Sequence, residues 1–431
     1  MSQQSSFIHT SHSNSTQACW PTWFCEQQKQ AWNQFQALPT PTRHDELWRF
    51  SNLKSLDLSR WHTAASPTDV DALLVRSQGF TECAAKLVFA NDRLISKEIH
   101  DLPLEVLLLS LEEAVRDHEE LFRNYFMKHP ALLGSAKIAA LHQAQLKTGT
   151  FLYVPRGVKI SKPIEIWYWS EGDHVTIFPH TLVVCEEESS VSVIDHFSSV
   201  KHEASFVAGI HDLVVKEKAK LNYVAVQDWS RETTAFHMNT TDVAKDAVAT
   251  ALQLNLGGRY IRSESNSRLL EAGARSVMLA INEMDADREI DQRTFQDHVA
   301  PNATSDLLYH NALDDRSRSV FSGLIKVGTA AHETDAYQKV RNLMLSDEVE
   351  ANSMPGLEIL ADRVRCSHGA TSGELNQNEL FYMQARGIPA SMAGKLIVRG
   401  FFEQVLERFG EPQLEKYLGH LLDERLGLAI K

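Results

Sequence analysis

The sequence predicts a mainly β protein whose central block of short strands is flanked by a helical region at each end. Between about Gly149 and Val364, short runs of Val, Ile, Leu, Tyr and Thr alternate with polar residues, which is the pattern of many half-buried strands. One run, Leu182–Glu186, recurs further along the chain as Leu213–Glu217. A two-strand unit that repeats at this spacing favours stacked parallel coils, in which each coil buries its apolar face on its neighbours.

Two other β architectures compete with the stacked coils. Propeller blades need longer repeats, of about 40 residues or more. An antiparallel sandwich is weakened because the block lacks the Asn-Gly and Asp-Gly pairs that mark tight hairpins. The pattern still leaves a generic β-sandwich open as the alternative.

The chain before the β block divides into a tail and a mainly helical region. Residues 1–20 contain no Lys or Arg and no apolar core segment, which predicts a disordered tail rather than a secretory signal. Residues 21–130 are predicted to hold a helix over Cys25–Leu38 and a hairpin over Lys86–Ile95. Ser110 and Glu113 match a capping box, which predicts a helix from there to about Lys128.

The β core is predicted to span residues 131–368, and residues 369–431 are predicted to be helical. Cap-like pairs at Thr371/Glu374 and Asn376/Glu379 predict a helix that ends before Gly387. A longer helix begins at Pro389, and a last one follows the break at Gly410–Pro412.

The longer C-terminal helix carries a wide apolar stripe. By base rate such a stripe packs on its own domain, but its width and aromatic content also suit a docking face for a partner. The residues of the stripe are Ile397, Phe401, Phe402, Val405, Leu406 and Phe409.

Charge and cysteine usage restrict the class of protein. An excess of acidic residues, 56 against 43 basic ones, disfavours binding to nucleic acid or to an anionic membrane. No run reaches the roughly 18 apolar residues of a membrane helix. The five cysteines are scattered, which fits reduced thiols and predicts a cytoplasmic location.

The sequence lacks a phosphate-binding loop. The nearest candidate is Gly387 with Gly394-Lys395-Leu396, but its glycines are too far apart and Leu396 stands where a Ser or Thr must hold magnesium. We therefore expect no nucleotide to bind to this chain and no ATP hydrolysis by it.

One compact motif can carry metal or sulfur chemistry, namely Arg365-Cys366-Ser367-His368-Gly369. If Cys366 lies on a strand, His368 faces the same side about 7 Å away, so that the thiolate and imidazole could share an iron, a zinc or a persulfide. The alternative is a buried thiol beside a hydrogen-bonded imidazole. Three other polar residues, Asp195, His196 and Asp335, are expected to be solvated at strand ends.

With these motifs in view, the chain resembles the SufB/SufD family of iron–sulfur cluster assembly proteins. The most specific stretch is Asn342–Ile388, which contains the Cys-x-His motif. Phe321–Leu345 is similar to the family's last strand turns, and Gly149–Ile166 to the start of its strand stack. Leu38–Leu53 is similar to the leader of the SufD branch.

The resemblance implies a right-handed parallel β-helix flanked by N- and C-terminal helical regions. It implies a non-ATPase scaffold that pairs with a SufB-like paralogue and carries a SufC-type ABC ATPase on its C-terminal helices, on the stripe described above. The isolated chain could also pair with a second copy. His368, with Cys366 beside it in the same motif, would contribute to a transient iron–sulfur cluster shared between the two chains.

Three rival functions remain open at the level of sequence. A polysaccharide-active β-helix enzyme would need clustered carboxylates on adjacent coils. A Cys-dependent hydrolase would need a base and an oxyanion hole beside Cys366. In a purely structural coupling protein, Cys366 and His368 would be bystanders.

Overall fold

The central architecture is a β-solenoid of about eight coils. The structure is a computed structural model that describes residues 20–80, 82–200 and 202–429. The predicted disordered tail lies outside the described residues except for Trp20.

The described residues contain eight α-helices and 21 strands. The helices are α1 (Thr22–Ala37), α2 (Val70–Arg76), α3 (Leu111–Asp117), α4 (Glu119–Tyr125), α5 (Ala136–Gln145), α6 (Gln377–Gln384), α7 (Ala390–Phe409) and α8 (Pro412–Leu426). The strands of the N-terminal region are β1 (His62–Thr63), β2 (Ala85–Ala90), β3 (Arg93–Ile99) and β4 (Leu107–Ser110). The solenoid strands are β5 (Thr150–Val154), β6 (Ile164–Ser170), β7 (Val175–Ile177), β8 (His180–Cys185), β9 (Ser190–Ser199), β10 (Ser205–Val215), β11 (Lys220–Asp228), β12 (Thr234–Val243), β13 (Val248–Asn255), β14 (Tyr260–Leu269), β15 (Arg275–Met284), β16 (Glu289–His298), β17 (Thr304–Leu313), β18 (Arg318–Val327), β19 (Asp335–Met344), β20 (Glu350–Ile359) and β21 (Arg365–Glu374).

From β8 onward, consecutive solenoid strands alternate between two sheets, and every pairing between coils is parallel. One sheet, called sheet A below, ends in the order β16, β18, β20, and the other, sheet B, ends in the order β17, β19, β21. Parallel pairing between coils confirms the stacked-coil prediction and excludes the antiparallel sandwich.

The repeat found in the sequence, Leu182–Glu186 and Leu213–Glu217, is displaced by one position from the actual pairing of β8 with β10. The sequence match aligns Leu213 with Leu182, but the register partner of Leu213 is Val183. Val183 and Leu213 both face the apolar interior, whereas Leu182 packs outward beneath the N-terminal helices. A shift by a single position exchanges the two faces of a strand, which is why matching by letter alone gave the wrong register.

An amide ladder runs through the interior of sheet B. The side-chain amide of Asn255 donates to Asn282 (2.6 Å), Asn282 to Asn311 (2.6 Å), and Asn311 to Asn342 (2.7 Å). The last amide, that of Asn342, donates to the hydroxyl of Ser372 (3.1 Å) on β21. Because each buried amide is paired with the next coil, the ladder holds the coils in register as far as the last strand.

The N-terminal region agrees with the prediction in outline. The hairpin and the Ser110 capping box are confirmed, and the chain turns at Asn91 and Asp92 with positive φ at both residues. The predicted long helix is instead two short ones, α3 and α4, separated at His118. The boundary at residue 130 falls too early, because α5 follows before the first solenoid strand.

A buried arginine binds the N-terminal leader, Leu38–Leu53, to the outside of sheet A. Arg262 is fully buried and forms ion pairs with Glu264 (2.7 Å) and Asp291 (2.6 Å). Its remaining guanidinium nitrogen donates to the carbonyl of Leu47 (2.9 Å), and the ring of Trp48 stacks against it at 3.9 Å. The leader is therefore ordered by charges on strands that lie far away in the sequence.

The C-terminal helices begin later than predicted. Thr371 and Glu374 lie on β21, which continues through Gly369, so the helical region starts at Gln377 rather than at residue 369. Asn376 does cap α6, by accepting from the backbone N–H of Asn378. The longer helix is α7, which has Pro389 as its N-cap residue, and Pro412 begins α8, as the sequence indicated.

The apolar stripe of α7 is packed on its own chain. Phe401, Phe402, Val405, Leu406 and Phe409 are all buried, in one cluster with β-strand residues and with α8. Ile397 is partly exposed. The stripe therefore follows the alternative in which it packs on its own domain, and five of the six proposed docking residues are not accessible on the surface.

Among the described residues, no helix is long and apolar enough to cross a membrane. The four described cysteines, Cys25, Cys83, Cys185 and Cys366, form no disulfide.

Candidate functional site

The last coil of the solenoid is uncovered. β20 ends sheet A and β21 ends sheet B, and within the described residues no further strand pairs with their outer edges. Side chains that would face the interior are exposed here, among them Leu357 and Ile359, which are 36% and 41% exposed. The end of the solenoid is thus a surface that combines two strand edges with an open apolar interior.

Cys366 lies on β21 and faces the interior, as its register with buried Ala336 shows. It packs against the apolar cluster that contains Ile325, Val327 and Ala336. Burial, followed by the nearby carboxylate of Asp335, raises the pKa of the Cys366 thiol. An iron ion that bound this sulfur would have to displace its proton. A raised pKa is also the reverse of what an activated cysteine nucleophile requires.

His368 lies two residues further along β21, on the same side of the strand as Cys366, and is exposed. The structure therefore confirms the strand geometry on which the Cys-x-His prediction depends. The thiol and the imidazole stand at one edge, where a second protein surface could reach both of them.

A groove of about 450 Å³ runs along the outside of sheet B beside His368. Its floor includes Ser367, Gly369 and Thr371, and a Cβ at Gly369 would meet no atom within 4 Å. Gly369 is thus a flat outward-facing strand position, not the point where the chain leaves the strand. The carboxylate of Asp306 lies in this groove and pairs with Arg408. The residues that line the groove do not include the clustered carboxylates that a polysaccharide-active enzyme would need.

Beneath His368 lies a buried polar side chain that the sequence analysis missed. Gln338 on β19 is the register partner of His368, is 2% exposed, and has no hydrogen-bond partner for either amide atom among the described residues. Its amide nitrogen lies against Gly323, where a Cβ would collide with it and with the hydroxyl of Thr294. The sequence signal that could have found it is its position one coil before His368, since the residues of the preceding coils in the same column, Leu307 and Met278, are apolar.

The other candidate residues do not join this site. Asp195 and His196 are fully buried near the first coils, so the expectation that they are solvated is wrong. Asp195 accepts hydrogen bonds from Thr181 (2.7 Å) and Tyr223 (2.6 Å), and His196 pairs with Glu165 (3.2 Å). Asp335 is partly buried and pairs with Arg365 (3.1 Å).

A second exposed surface lies on the C-terminal helices. α6 has no buried residue, and its two aromatic side chains, Phe381 and Tyr382, are 71% and 58% exposed. Met392 and Leu396, near the start of α7, are also exposed. Single exposed apolar residues are common, but two large aromatic residues on one short helix are typical of a contact surface.

Comparisons with known proteins match most of the chain to models of a single protein family. The family described as "SUF system FeS cluster assembly, SufBD core domain" matches residues 168–401, which include Cys366 and His368. The family described as "SufBD protein N-terminal region" matches residues 2–166. The two matches together extend over the leader, the solenoid and most of α7.

Three curated relatives illustrate the similarity. The iron–sulfur cluster assembly protein SufD of Bacillus subtilis is 27% identical over 418 residues, which is 94% of each chain. An iron–sulfur cluster assembly SufBD family protein of Staphylococcus epidermidis is 25% identical and covers 89% of this chain and 85% of its own. One from Mycobacterium bovis is 28% identical and covers 68% of this chain and 75% of its own.

Proposed function

We propose that this chain, which belongs to the SufBD family of iron–sulfur cluster assembly proteins, is a non-ATPase scaffold subunit that offers His368, with Cys366 beside it, to a transient cluster shared with a partner chain. In this proposal it works in the cytoplasm, pairs with a SufB-like paralogue and carries a SufC-type ATPase. The cluster is the cargo of the complex, not a resident cofactor. The observation that carries the proposal is the position of the Cys-x-His motif on the open edge strand β21.

The open end of the solenoid supports pairing with another chain. Unpaired strand edges and exposed interior residues are normally covered in stable proteins. A paralogue with the same coil cross-section could cover Leu357, Ile359 and Leu360 with its own open end. Covering this end would place the partner's side chains directly against Cys366 and His368.

The donor set supports a site divided between two chains. Clusters are commonly held by about four ligands, most of them thiolates. The motif supplies at most one thiolate and one imidazole, so the other ligands would come from the partner. A site divided in this way can release its cluster when the two chains separate.

The C-terminal helices support docking of the ATPase. Because the α7 stripe is buried, we place the docking face on the exposed side chains of α6 and of the start of α7, namely Phe381, Tyr382, Met392 and Leu396. α7 packs directly on β15 and β17 of sheet B, so movement of the docked helices would reach the sheet that carries His368.

The test is to reconstitute the complex with the variant His368→Ala. The exposed imidazole is not part of the packed core, so the variant complex should assemble normally and lose cluster maturation. His332→Ala is the matched control, because His332 is partly exposed, lies in the turn before β19 and is outside the motif. Wild-type cluster yield from His368→Ala would refute the proposal, and so would a full, tightly held cluster on the isolated chain.

A further inference from the structure

We propose that Ser372 determines the register in which the partner strand pairs with β21: it is the exposed last rung of the amide ladder, and it requires a neutral hydrogen-bonding side chain, an amide or a hydroxyl, opposite it. The inference rests on the proposed function, since it takes the open end of the solenoid as the surface that the partner chain covers. It adds to that function a residue that decides which partner side chains meet His368.

The ladder follows one inward-facing column of sheet B and reaches the surface at β21. Its members are direct register partners from coil to coil, in the order Asn255, Asn282, Asn311, Asn342 and Ser372. The asparagines are buried, whereas Ser372 is exposed. Each buried amide is therefore paired with the coil beyond it, and the final rung has no coil beyond it among the described residues.

The hydroxyl of Ser372 has a hydrogen left to donate. It accepts from the side-chain amide of Asn342 (3.1 Å) and makes no other side-chain hydrogen bond within the described part of the chain. Asn342 also donates to Ser353 on β20 (3.4 Å), so one amide holds a hydroxyl on each of the two edge strands. A serine hydroxyl has one donor and two acceptor sites. Water satisfies the free O–H while the end is open, but a partner that covers the end removes this water.

The next rung then has to come from the partner. A partner strand paired with β21 lies about 4.8 Å beyond it, and the side chain in register with Ser372 points to the same side. An apolar side chain at that position would bury the hydroxyl without an acceptor, which opposes binding. An amide or a hydroxyl continues the ladder, and neither one has a charge that must be desolvated.

The register at Ser372 also sets the register at the proposed cluster site. Ser372 and His368 lie on the same face of β21, four residues apart, which is about 13 Å along a strand. Once the residue opposite Ser372 is fixed, the residue opposite His368 is fixed four positions away on the partner strand. A slip by one residue would turn the polar partner side chain to the other face and leave the last rung unpaired.

The first experiment measures the affinity of the full chain for the SufB-like paralogue of the same organism. Ser372→Ala removes the hydroxyl and should weaken binding about three- to tenfold. Ser372→Thr keeps the hydroxyl and should bind like the wild type. Ser367→Ala is the matched control, because Ser367 is an exposed serine on the same strand that faces the outer groove, and it should leave the affinity unchanged.

The second experiment locates the partner residue opposite Ser372 by disulfide cross-linking in the assembled complex. Ala370→Cys and Glu374→Cys, in separate variants that also carry Cys366→Ala, place a thiol on the same face two residues before and after Ser372. Each is combined with cysteines introduced one at a time along the partner's edge strand, since paired strand residues have the separation that a disulfide needs. The partner residue midway between the two strongest links should be Asn, Gln, Ser or Thr.

The same links report whether Ser372 acts through register. In Ser372→Ala they should spread to neighbouring partner positions, whereas loss of strand order alone would lower their yield at unchanged positions and would overturn the inference. An apolar or charged residue between the two links would also overturn it, and so would wild-type affinity in Ser372→Ala. In these cases links along β21 still support pairing through this strand, so the proposed function stands. If no position on β21 links to the partner, the pairing in the proposed function fails together with the inference.

Discussion

Buried neutral histidines should make this fold unusually sensitive to mild acid. Burial lowers the pKa of five histidines in the folded chain, to about 4 for His142, His298 and His310 and well below 6.5 for His180 and His237. A histidine with a lowered pKa binds fewer protons in the folded state than in the unfolded state. Its contribution to stability is therefore complete above the ordinary pKa of about 6.5 and is lost as the pH falls toward 4.

The size of the effect follows from the shift. At pH 5.5 a histidine whose folded pKa is about 4 is about nine-tenths protonated in the unfolded chain but almost unprotonated in the fold, so His142, His298 and His310 each remove about 1.4 kcal/mol relative to pH 7.5. Two buried carboxyl groups act in the opposite direction, because burial raises the pKa of Asp92 to about 6 and of Asp212 to about 7. Together they return about 3 kcal/mol over the same interval, and the raised pKa values of Glu289 and Asp297 act in the same direction, so the loss from the histidines is partly offset.

One variant isolates a single histidine from this balance. His298 pairs with Ser305 (2.7 Å), and His298→Gln keeps a polar side chain there without a titrating ring. In this variant the free energy of unfolding, measured with urea, should fall between pH 7.5 and pH 5.5 by about 1.4 kcal/mol less than it does in the wild type. Gln296→Leu is the control, since Gln296 also donates to Ser305 (2.7 Å) but does not titrate. Equal pH dependence in wild type and His298→Gln would refute the reasoning.

Two further predictions concern the leader and the helices. Arg262→Met leaves Glu264 and Asp291 buried without that guanidinium. We therefore expect the free energy of unfolding, measured by urea titration, to fall by about 3–5 kcal/mol. Limited digestion should also show faster proteolysis of the leader. Unchanged stability would show that the ion pairs contribute nothing. The double variant Phe381→Ser/Tyr382→Ser should weaken ATPase co-purification at least tenfold, whereas Val75→Ser, at an equally exposed apolar position on α2, should not. Equal retention of the ATPase by both variants would contradict the docking face.

The stacked coils could be predicted from sequence because alternation and repetition are local signals. Register could not be, since the coils differ in length. Leu213 pairs with Val183, but His237 on the next coil pairs with Gly209, so the step along the chain from one coil to the next is shorter there. The length of the turns changes from coil to coil, so that each strand keeps its inward-facing and outward-facing positions. The repeat that is visible in the sequence does not show these changes.

Burial of polar residues was the harder part to predict. Asp195 belongs to a type that is almost never fully buried unless paired, so the sequence favoured a solvated position. The structure buries it because Thr181 and Tyr223, on two other strands, both donate to its carboxylate. Partners that meet only through the stacking of coils leave no local signal, and the same applies to Arg262 and the carbonyl of Leu47.

The two edge strands differ in a way that bears on partner pairing. β20 contains Pro355 near its middle, and proline supplies no N–H for a ladder, so this strand suits an edge position better than continuous pairing with another chain. β21 contains no proline and carries both Cys366 and His368. A partner strand that pairs along the full length of β21 would meet the two donor side chains at a fixed register. Because register fixes which side chains stand opposite each other, strand pairing at β21 would also determine which partner residues complete the proposed cluster site.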